Sequence, residues 1–205
     1  MRILFIFFVL IGVLTSCRVK NVKVFNDMGK LQERYQVLRK QQIQHGTYYL
    51  FFENGQIAIQ RKFVQGKLEG EERMYYETGQ LEKIAKYKNG VYTDSFKFYH
   101  ENGLLEQEGI YQNDRIEGDL KTYYKSGKLK EIVHFQNGEE NGAYTEYYEN
   151  GKIKSEGGYL QGDHKHGLIK RYDEEGTLIQ KQQCEAGECI ITWQINPIQS
   201  PKDSL

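Results

Sequence analysis

Two of the three cysteines, Cys184 and Cys189, are spaced for chemistry with each other. They enclose residues 185–188, and a four-residue hairpin loop can place such a pair opposite each other on neighbouring strands. In an oxidising compartment this geometry favours a disulfide. A redox or metal pair is the alternative, but a metal site of this kind needs two further ligands, which the short segment lacks. We therefore predict a structural disulfide between Cys184 and Cys189.

Other residues that could act in catalysis or bind a metal recur at equivalent positions of the repeat, which indicates structural roles. His164 and His166 suggest a metal site, but His166 and the glycine after it stand where His45 and its glycine stand in an earlier unit. Glutamates recur at the turns, whereas a catalytic pair of carboxylates needs two distinct environments. The sequence contains no phosphate loop, nucleophile elbow or zinc motif. We expect no enzyme activity, no metal and no cofactor.

The first seventeen residues are typical of an export signal. Arg2 precedes the apolar run 3–14, which is shorter than the roughly 20 residues of a spanning helix. Residues 14–17, Leu-Thr-Ser-Cys, resemble the lipobox of bacterial lipoproteins, which implies cleavage before Cys17 and acylation of its thiol. We predict a signal peptide at 1–16 and a lipid-anchored chain in the bacterial cell envelope, with the periplasmic side of the outer membrane preferred over the inner membrane. A plain secretory signal with an incidental Cys17 is the alternative.

The balance of residue types predicts an all-β protein. The 28 Lys+Arg residues equal the 28 Asp+Glu residues, and their signs alternate along the chain, which argues against nucleic-acid binding. The 21 glycines, 16 tyrosines and 10 phenylalanines, with only 2 prolines, combine turn formers with strand formers. Such a combination excludes coiled coils and helix bundles.

A turn glycine recurs along the chain at spacings of 24, 24, 24, 24 and 25 residues. Its copies are Gly55, Gly79, Gly103, Gly127, Gly151 and Gly176. An aromatic residue stands four residues before each copy, and these six form a candidate binding ladder: Phe51, Tyr75, Tyr99, Tyr123, Tyr147 and Tyr172. A second glycine column lies nine residues before the turn, with Asp94 as its exception, and a mostly aromatic column lies eight residues after it. The sequence therefore holds six tandem units of about 24 residues between His45 and Gly187.

Each unit is predicted to be a β-hairpin, because an Asn-Gly pair between two β-prone runs is the strongest short hairpin signal. With a two-residue loop, Tyr124 pairs with Leu129 and Gly142 pairs with Tyr159, the glycine leaving space for the ring. The units then form an elongated antiparallel meander that lengthens by about 10 Å per unit. The ladder residues are an odd number of positions away from the residues of this pairing, so their side chains would point to the other face of the sheet. Either a bulge in each unit reconciles the two, or both faces of a strongly coiled sheet carry aromatic stripes, and we prefer the second interpretation.

Residues 147–159 and 162–167 resemble the variant MORN repeat of bacterial proteins labelled YwqK-type antitoxins. The resemblance extends from about Gly46 to Gly187. It implies β-hairpin repeats that form an elongated, curved sheet used for binding, with no catalytic residues to carry over. The label itself implies an antitoxin or immunity-like protein that neutralises a toxin.

Both ends of the array are expected to be caps. Residues 17–44 hold the tether and a degenerate cap repeat around Gly29, although Leu31, Tyr35 and Leu38 could alternatively form one face of a short helix. The MORN-like repeat domain then spans 45–195 and ends in a strand whose Trp193 covers the last repeat. Residues 196–205 are predicted to be a disordered tail.

Two binding functions follow from the aromatic ladder. The first is a non-catalytic, envelope-tethered scaffold for protein–protein interaction, because a tyrosine ring buries area while its hydroxyl stays hydrated. In the second, the ladder stacks on the sugar rings of peptidoglycan or a surface glycan. The ladder could instead only stabilise the sheet through cross-strand aromatic packing. The expected partner is thus an unidentified envelope protein or glycan, with membrane contact through the lipid and no nucleic acid.

Overall fold

The computed structural model describes residues 19–195, which form one antiparallel sheet of 17 strands. The predicted signal peptide, Cys17 and the predicted tail lie outside these residues. Between residues 19 and 195 no helix is present. The strands are β1 Val19–Phe25, β2 Leu31–Leu38, β3 Gly46–Phe51, β4 Ile57–Val64, β5 Lys67–Leu68, β6 Gly70–Tyr75, β7 Leu81–Lys88, β8 Val91–Tyr99, β9 Leu105–Gln112, β10 Arg115–Ile116, β11 Gly118–Tyr123, β12 Leu129–Gln136, β13 Glu139–Tyr147, β14 Ile153–Tyr159, β15 Lys165–Tyr172, β16 Leu178–Glu185 and β17 Glu188–Gln194.

The strands follow one another in chain order, so the sheet is a meander. The short β5 precedes β6 and both pair with β4, while β10 and β11 both pair with β9. The six predicted hairpins are β3–β4, β6–β7, β8–β9, β11–β12, β13–β14 and β15–β16. The predicted all-β meander of six repeats is therefore confirmed.

A further hairpin, β1–β2, precedes the six units. In its turn the Gly29 amide donates to the Asn26 carbonyl at 2.9 Å, as the turn glycines of the units do. Leu31, Tyr35 and Leu38 all lie in β2, where burial alternates along the first residues. The short-helix alternative for this segment is therefore wrong, because all three residues belong to a strand that pairs with β1.

The turn glycines close three-residue loops instead of the two-residue loops that the expected pairing assumes. In unit 4 the Gly127 amide donates to the Tyr124 carbonyl, and the Tyr124 amide donates to the Lys128 carbonyl, both at 2.8 Å. Gly127 has a φ of +82°, which makes this a type I turn followed by a bulge. Tyr123, one residue before the expected Tyr124, therefore pairs with Leu129, and the register shifts between Thr122 and Tyr123.

Tight two-residue turns occur at the other connection, between units. Both residues of each turn have positive φ, as type I′ turns require, and the pairs are Gln65-Gly66, Asn89-Gly90, Asn113-Asp114, Asn137-Gly138 and Ala186-Gly187. The turns stack, since the Gly138 amide donates to the Ile116 carbonyl of the preceding unit at 3.0 Å, and its equivalents do the same. In unit 5 the Leu160 amide donates to the His164 carbonyl, so this loop has three residues and Asp163 is the additional one. This insertion accounts for the single spacing of 25 residues.

The second glycine column occupies positions where the backbone has a positive φ, which favours glycine. Its six members have φ values between +66° at Asp94 and +127° at Gly142. The predicted pairing of Gly142 with Tyr159 is present. The proposed role in leaving space for a ring is nevertheless wrong for part of the column, since an added Cβ at Gly70, Gly118 or Gly167 would meet nothing within 4 Å. Asp94 fits the column because aspartate tolerates the left-handed region better than most residues.

One face of the sheet, here called the core face, buries most of the apolar side chains. It receives the residues seven before each turn glycine and those six and eight after it, since side chains alternate along a strand. A large residue faces a small one across the hairpin, as Phe96 faces Gly109 and Tyr144 faces Gly157. An added Cβ at Gly109 would lie 2.9 Å from the Phe96 ring. The buried members of these columns are Tyr48, Phe63, Glu72, Ala85, Tyr87, Phe96, Val133, Tyr144, Ile169 and Cys184.

Aromatic contacts on the core face cross the boundaries between units. The Tyr92 ring lies 4.3 Å from the Tyr87 ring and 4.8 Å from the Tyr111 ring, centroid to centroid. Tyr111 also lies 4.6 Å from Phe96. The contact between Tyr87 and Tyr92 therefore joins the cores of two neighbouring units, as expected of a repeat protein whose stability is a sum of unit and interface terms.

The C-terminal hairpin replaces the ring of the last unit with sulfur. Cys184 occupies the column eight residues after the turn, is 1% exposed, and packs in a cluster with Tyr144 and Ile169. It pairs with Cys189 across β16 and β17, and the two sulfur atoms are 1.99 Å apart. Trp193 lies on the opposite face, is 43% exposed and has Lys181 of the last unit 5.8 Å from the centre of its ring, so it lies over the last unit but not over its core.

Gly118 offers a test of the conformational role of the second glycine column. We expect Gly118→Ala to lower the free energy of unfolding by about 1–2 kcal/mol, because alanine disfavours positive φ although the site has room for it. Gly118→Asn should lower it less, since asparagine tolerates this region. Urea unfolding of both variants measures the difference. Equal losses for the two would contradict the assignment.

The Cys184–Cys189 bond remains a prediction for the mature protein and can be counted directly. We expect no free thiol from this pair after purification without reductant. Replacing Cys189 with serine should then lower the free energy of unfolding by about 2 kcal/mol, the value for a loop this short. Two titratable thiols in the purified protein would show that the bond does not form.

Candidate binding face

The aromatic ladder lies on the face of the sheet opposite the core, here called the ladder face. Tyr147 follows the buried Tyr144 by three residues in β13, so the two side chains point to opposite faces. Tyr123 and the core residue Leu120 are related in the same way in β11. Both faces therefore carry aromatic side chains, as the preferred interpretation held, and each hairpin also contains a bulge beyond the ladder position.

Each ladder ring pairs across its hairpin with an aliphatic residue two positions after the turn glycine. The pairs are Phe51–Ile57, Tyr75–Leu81, Tyr99–Leu105, Tyr123–Leu129, Tyr147–Ile153 and Tyr172–Leu178. All twelve side chains are half-buried. We call these twelve residues the apolar stripe, and it crosses every unit of the array.

Ladder rings do not stack on one another in the part of the chain that the structure describes. Successive rings are two strands apart, which is about 10 Å and beyond the 4.5–7 Å between centroids of interacting rings. Each ring lies opposite its aliphatic partner across the hairpin instead. Packing between ladder rings is therefore not what holds the sheet together.

Two ladder hydroxyls are held by carboxylates of the preceding unit. Tyr123 donates to Glu108 at 2.8 Å, and Tyr172 donates to Glu156 at 2.8 Å. Glu156 also accepts a hydrogen bond from Lys170 at 2.9 Å, which holds the pKa of Glu156 below its usual range. These two rings are thus fixed from the polar end as well as from the apolar side.

The other tyrosines of the ladder keep their hydroxyls free. In the units before Tyr99 and Tyr147, the place of the carboxylate is taken by Ile84 and Ile132, which pair with the adjacent strand. Between residues 19 and 195 the hydroxyls of Tyr75, Tyr99 and Tyr147 find no hydrogen-bond partner. From Tyr99 to Tyr172 the apolar stripe therefore alternates between open steps and steps that are locked by glutamate, and Tyr75 is a further open step.

A second ring column, one residue closer to the turn, fixes the ladder backbone from the core face. Tyr76 donates to the Tyr99 carbonyl at 2.7 Å, and Tyr124 donates to the Tyr147 carbonyl at 2.6 Å. His100 takes the same place, with its Nε2 3.2 Å from the Tyr123 carbonyl. Sequence reasoning missed these bonds between units, although the recurrence of a polar ring in one column was a usable signal.

The asparagine of the Asn-Gly pairs also links neighbouring units. The Asn102 side-chain amide donates to the Lys125 carbonyl at 2.6 Å, and that of Asn150 donates to the Glu174 carbonyl at 2.8 Å. Each turn is thus tied to the next turn along the array. The ladder residues beside these turns are held on a rigid backbone.

The remaining candidate residues do not form a site. His164 lies in the loop before β15 with its Nδ1 3.2 Å from the Gln161 carbonyl, while His166 is exposed in β15 opposite Gly158. Across residues 19–195, no three His, Cys, Asp or Glu side chains are grouped so that they could hold a metal ion. The same residues include no helix of a length and apolarity that would span a bilayer.

The bond between Tyr123 and Glu108 predicts a pH dependence. Burial, and then the Glu108 carboxylate, raise the pKa of Tyr123 from 10.0 to about 12. The neutral phenol is therefore favoured by folding, and its stabilisation is complete below about pH 10 and lost as the pH rises towards 12. We expect Tyr123→Phe to weaken the fall in urea midpoint over this range. Tyr99→Phe is the control, because its hydroxyl has no partner here, and an equal effect of both variants would contradict the prediction.

The repeat units match a known family. The family model described as "MORN repeat variant" matches residues 44–65, 68–89, 95–113, 116–137, 140–161 and 165–183. No curated protein matches the chain. Among solved structures, a chain of a mutant Photorhabdus luminescens Tc holotoxin pore is similar over 85% of this chain and 12% of that chain, at 11% identity and a TM-score of 0.25. This chain therefore spans a small part of that one, and the likeness carries no argument. The six family matches follow the six hairpins of the sheet, and the chain belongs to the MORN repeat variant family.

Proposed function

We propose that this chain is a non-catalytic repeat scaffold that binds another protein along its ladder face. MORN repeats in general mediate protein or membrane-lipid interaction. The observation that carries the proposal is the apolar stripe, in which twelve half-buried side chains stand in register on the face opposite the core. Only part of the apolar area of these side chains is buried within the sheet, and the exposed part could be covered by a partner.

The rings of the stripe are suited to act as binding anchors. Tyrosine is enriched among the residues that dominate binding energy, because its ring buries area and its hydroxyl can bond. The free hydroxyls of Tyr75, Tyr99 and Tyr147 add hydrogen-bonding capacity to this area. Since the ladder backbone is already held by bonds between units, little further ordering is needed on binding, which favours affinity.

Charged residues along the stripe form a mixed rim. Lys97 lies 3.4 Å from Glu108, and Lys170 lies 2.9 Å from Glu156, so positive and negative groups are paired locally. A partner then needs no large charge of either sign. A polar rim around an apolar centre is the usual arrangement of a protein interface.

We also propose that the mature chain is attached to the bacterial cell envelope through a lipid on Cys17. The lipobox-like residues 14–17 support this location, and lipid chains at ~0.8 kcal/mol per buried methylene would hold the protein on a bilayer. The partner would then be an envelope protein. Neutralisation of a toxin, which the YwqK-type label implies, would be one form of the same contact.

Glycan binding is the second candidate, and the spacing of the ladder favours it. One ring per unit gives a row of rings about 10 Å apart, and a linear β-linked polysaccharide repeats its disaccharide over a similar length. Aromatic rings stack on the apolar faces of sugars. The same residues would therefore serve either ligand class.

Replacing Tyr99, Tyr123 and Tyr147 together with alanine tests the ladder as the binding surface. We expect the mature protein to retain a partner from an envelope extract and the triple variant to lose at least tenfold in affinity, since each lost ring removes more than 1 kcal/mol. Glu71→Ala with Asp119→Ala is the matched control, because both residues are exposed on the same face outside the stripe.

Purified peptidoglycan in the same assay separates the two ligand classes. Retention of glycan that is lost in the triple variant would replace the protein scaffold with the glycan-binding function. Protein capture that survives in the triple variant would show that the ladder is not the binding surface. A circular-dichroism spectrum unchanged from the parent protein confirms that the variant is folded.

A further inference from the structure

The last strand, β17, forms a second surface that is separate from the apolar stripe. It pairs with β16, and among residues 19–195 no strand pairs with its other edge. All seven residues from Glu188 to Gln194 are exposed. The free edge therefore presents unpaired backbone donors and acceptors, which are a template for a further strand.

In the repeat pattern β17 takes the place of the first strand of a hairpin, and residues 19–195 contain no second strand to follow it. Trp193 pairs with Lys181 just as Lys97, in the first strand of unit 3, pairs with Ile84. Each first strand of the six units has the second strand of its own unit on its far side. The position beyond β17 is thus the position of a second strand.

The six units show what kind of strand covers this position. Every second strand begins with leucine or isoleucine, and five of the six carry an aromatic residue six positions later. In β12 these residues are Leu129 and Phe135. The aliphatic residue faces a ladder ring, and the aromatic residue packs on the core face.

The β17 edge lacks the devices that block pairing. The edge strand at the other end of the sheet, β1, carries Lys20 and Lys23, and lysines on an edge oppose the addition of strands. No lysine or proline occurs in β17. Its large apolar residues are well exposed instead, with Ile190 at 69% and Ile191 at 54%.

We propose that β17 accepts an extended segment of a partner polypeptide as an additional antiparallel strand. The segment that fits carries the pattern of the chain's own second strands, with leucine or isoleucine followed six residues later by phenylalanine or tyrosine. Backbone hydrogen bonds along β17 supply affinity, and the two anchor residues supply selectivity. The proposal does not depend on the ladder face.

A synthetic peptide with the sequence of residues 129–136, Leu-Lys-Glu-Ile-Val-His-Phe-Gln, is the probe, and Trp193 is the reporter. Trp193 is the single tryptophan of the chain and lies in the strand to be covered. We expect the peptide to shift Trp193 emission to the blue in a saturable manner. Amide hydrogen exchange of β17 should slow at the same time.

Matched controls distinguish strand addition from nonspecific binding of the peptide. The peptide with Leu129→Ser and Phe135→Ser keeps its backbone donors but should bind at least on the order of tenfold more weakly. On the protein side, the Ile195 amide donates to the Ile179 carbonyl, so alternation directs the Gln194 amide to the free edge. Gln194→Pro removes this donor and should abolish the blue shift, whereas Gln194→Ala should retain it.

Other results would overturn the proposal. An unchanged emission at saturating peptide would show that the edge does not accept a strand. A blue shift that grows with protein concentration alone, together with a doubled mass in solution, would assign the edge to a second copy of the chain. The variant with alanine at Tyr99, Tyr123 and Tyr147 should still respond to the peptide, so failure of the ladder proposal and failure of this one are distinguishable.

Discussion

The register between neighbouring hairpins is the constraint on which both faces of this sheet depend. Side chains alternate along a strand, so a slip of one residue would move a whole column to the opposite face. Hydrogen bonds between successive turns, such as that from the Gly138 amide to the Ile116 carbonyl, hold the units in step. The one extra residue of the array, Asp163, is placed in a loop and leaves the strands in register.

A sheet with one buried face depends on close fit within its columns. Phe96 over Gly109 shows that fit, and Glu72 shows how a charge is tolerated in the same column. The Glu72 carboxylate lies 3.6 Å from Arg61 and 3.7 Å from Lys83, and it accepts a hydrogen bond from Tyr87. A buried ion pair of this kind adds little net stability, but leaving one partner alone would be strongly destabilising. The first two units are therefore joined by a network whose members depend on one another.

The same register also aligns the side chains of the ladder face. Because the core lies on one face, the other face can display a row of rings whose backbone is fixed by bonds between units. Alternating glutamate and isoleucine beside the ladder locks some rings, such as Tyr123, and leaves others, such as Tyr147, open. The unpaired edge of β17 follows from the same pattern, since within residues 19–195 the array ends after a first strand.

By itself, the amino-acid sequence determined the period, the all-β class and the placement of ring columns on two faces, because glycine spacing and strand alternation are local properties. The spacing of Cys184 and Cys189 was also sufficient to predict that they lie on neighbouring strands. Only the tertiary structure decided the turns, since the side chain of Asn150 bonds to the next unit and the pair with Gly151 closes a three-residue loop. Which tyrosine hydroxyls are held was likewise undecided by sequence. Those bonds join different units, and the residues that meet across units are set by the pairing of strands in the folded sheet.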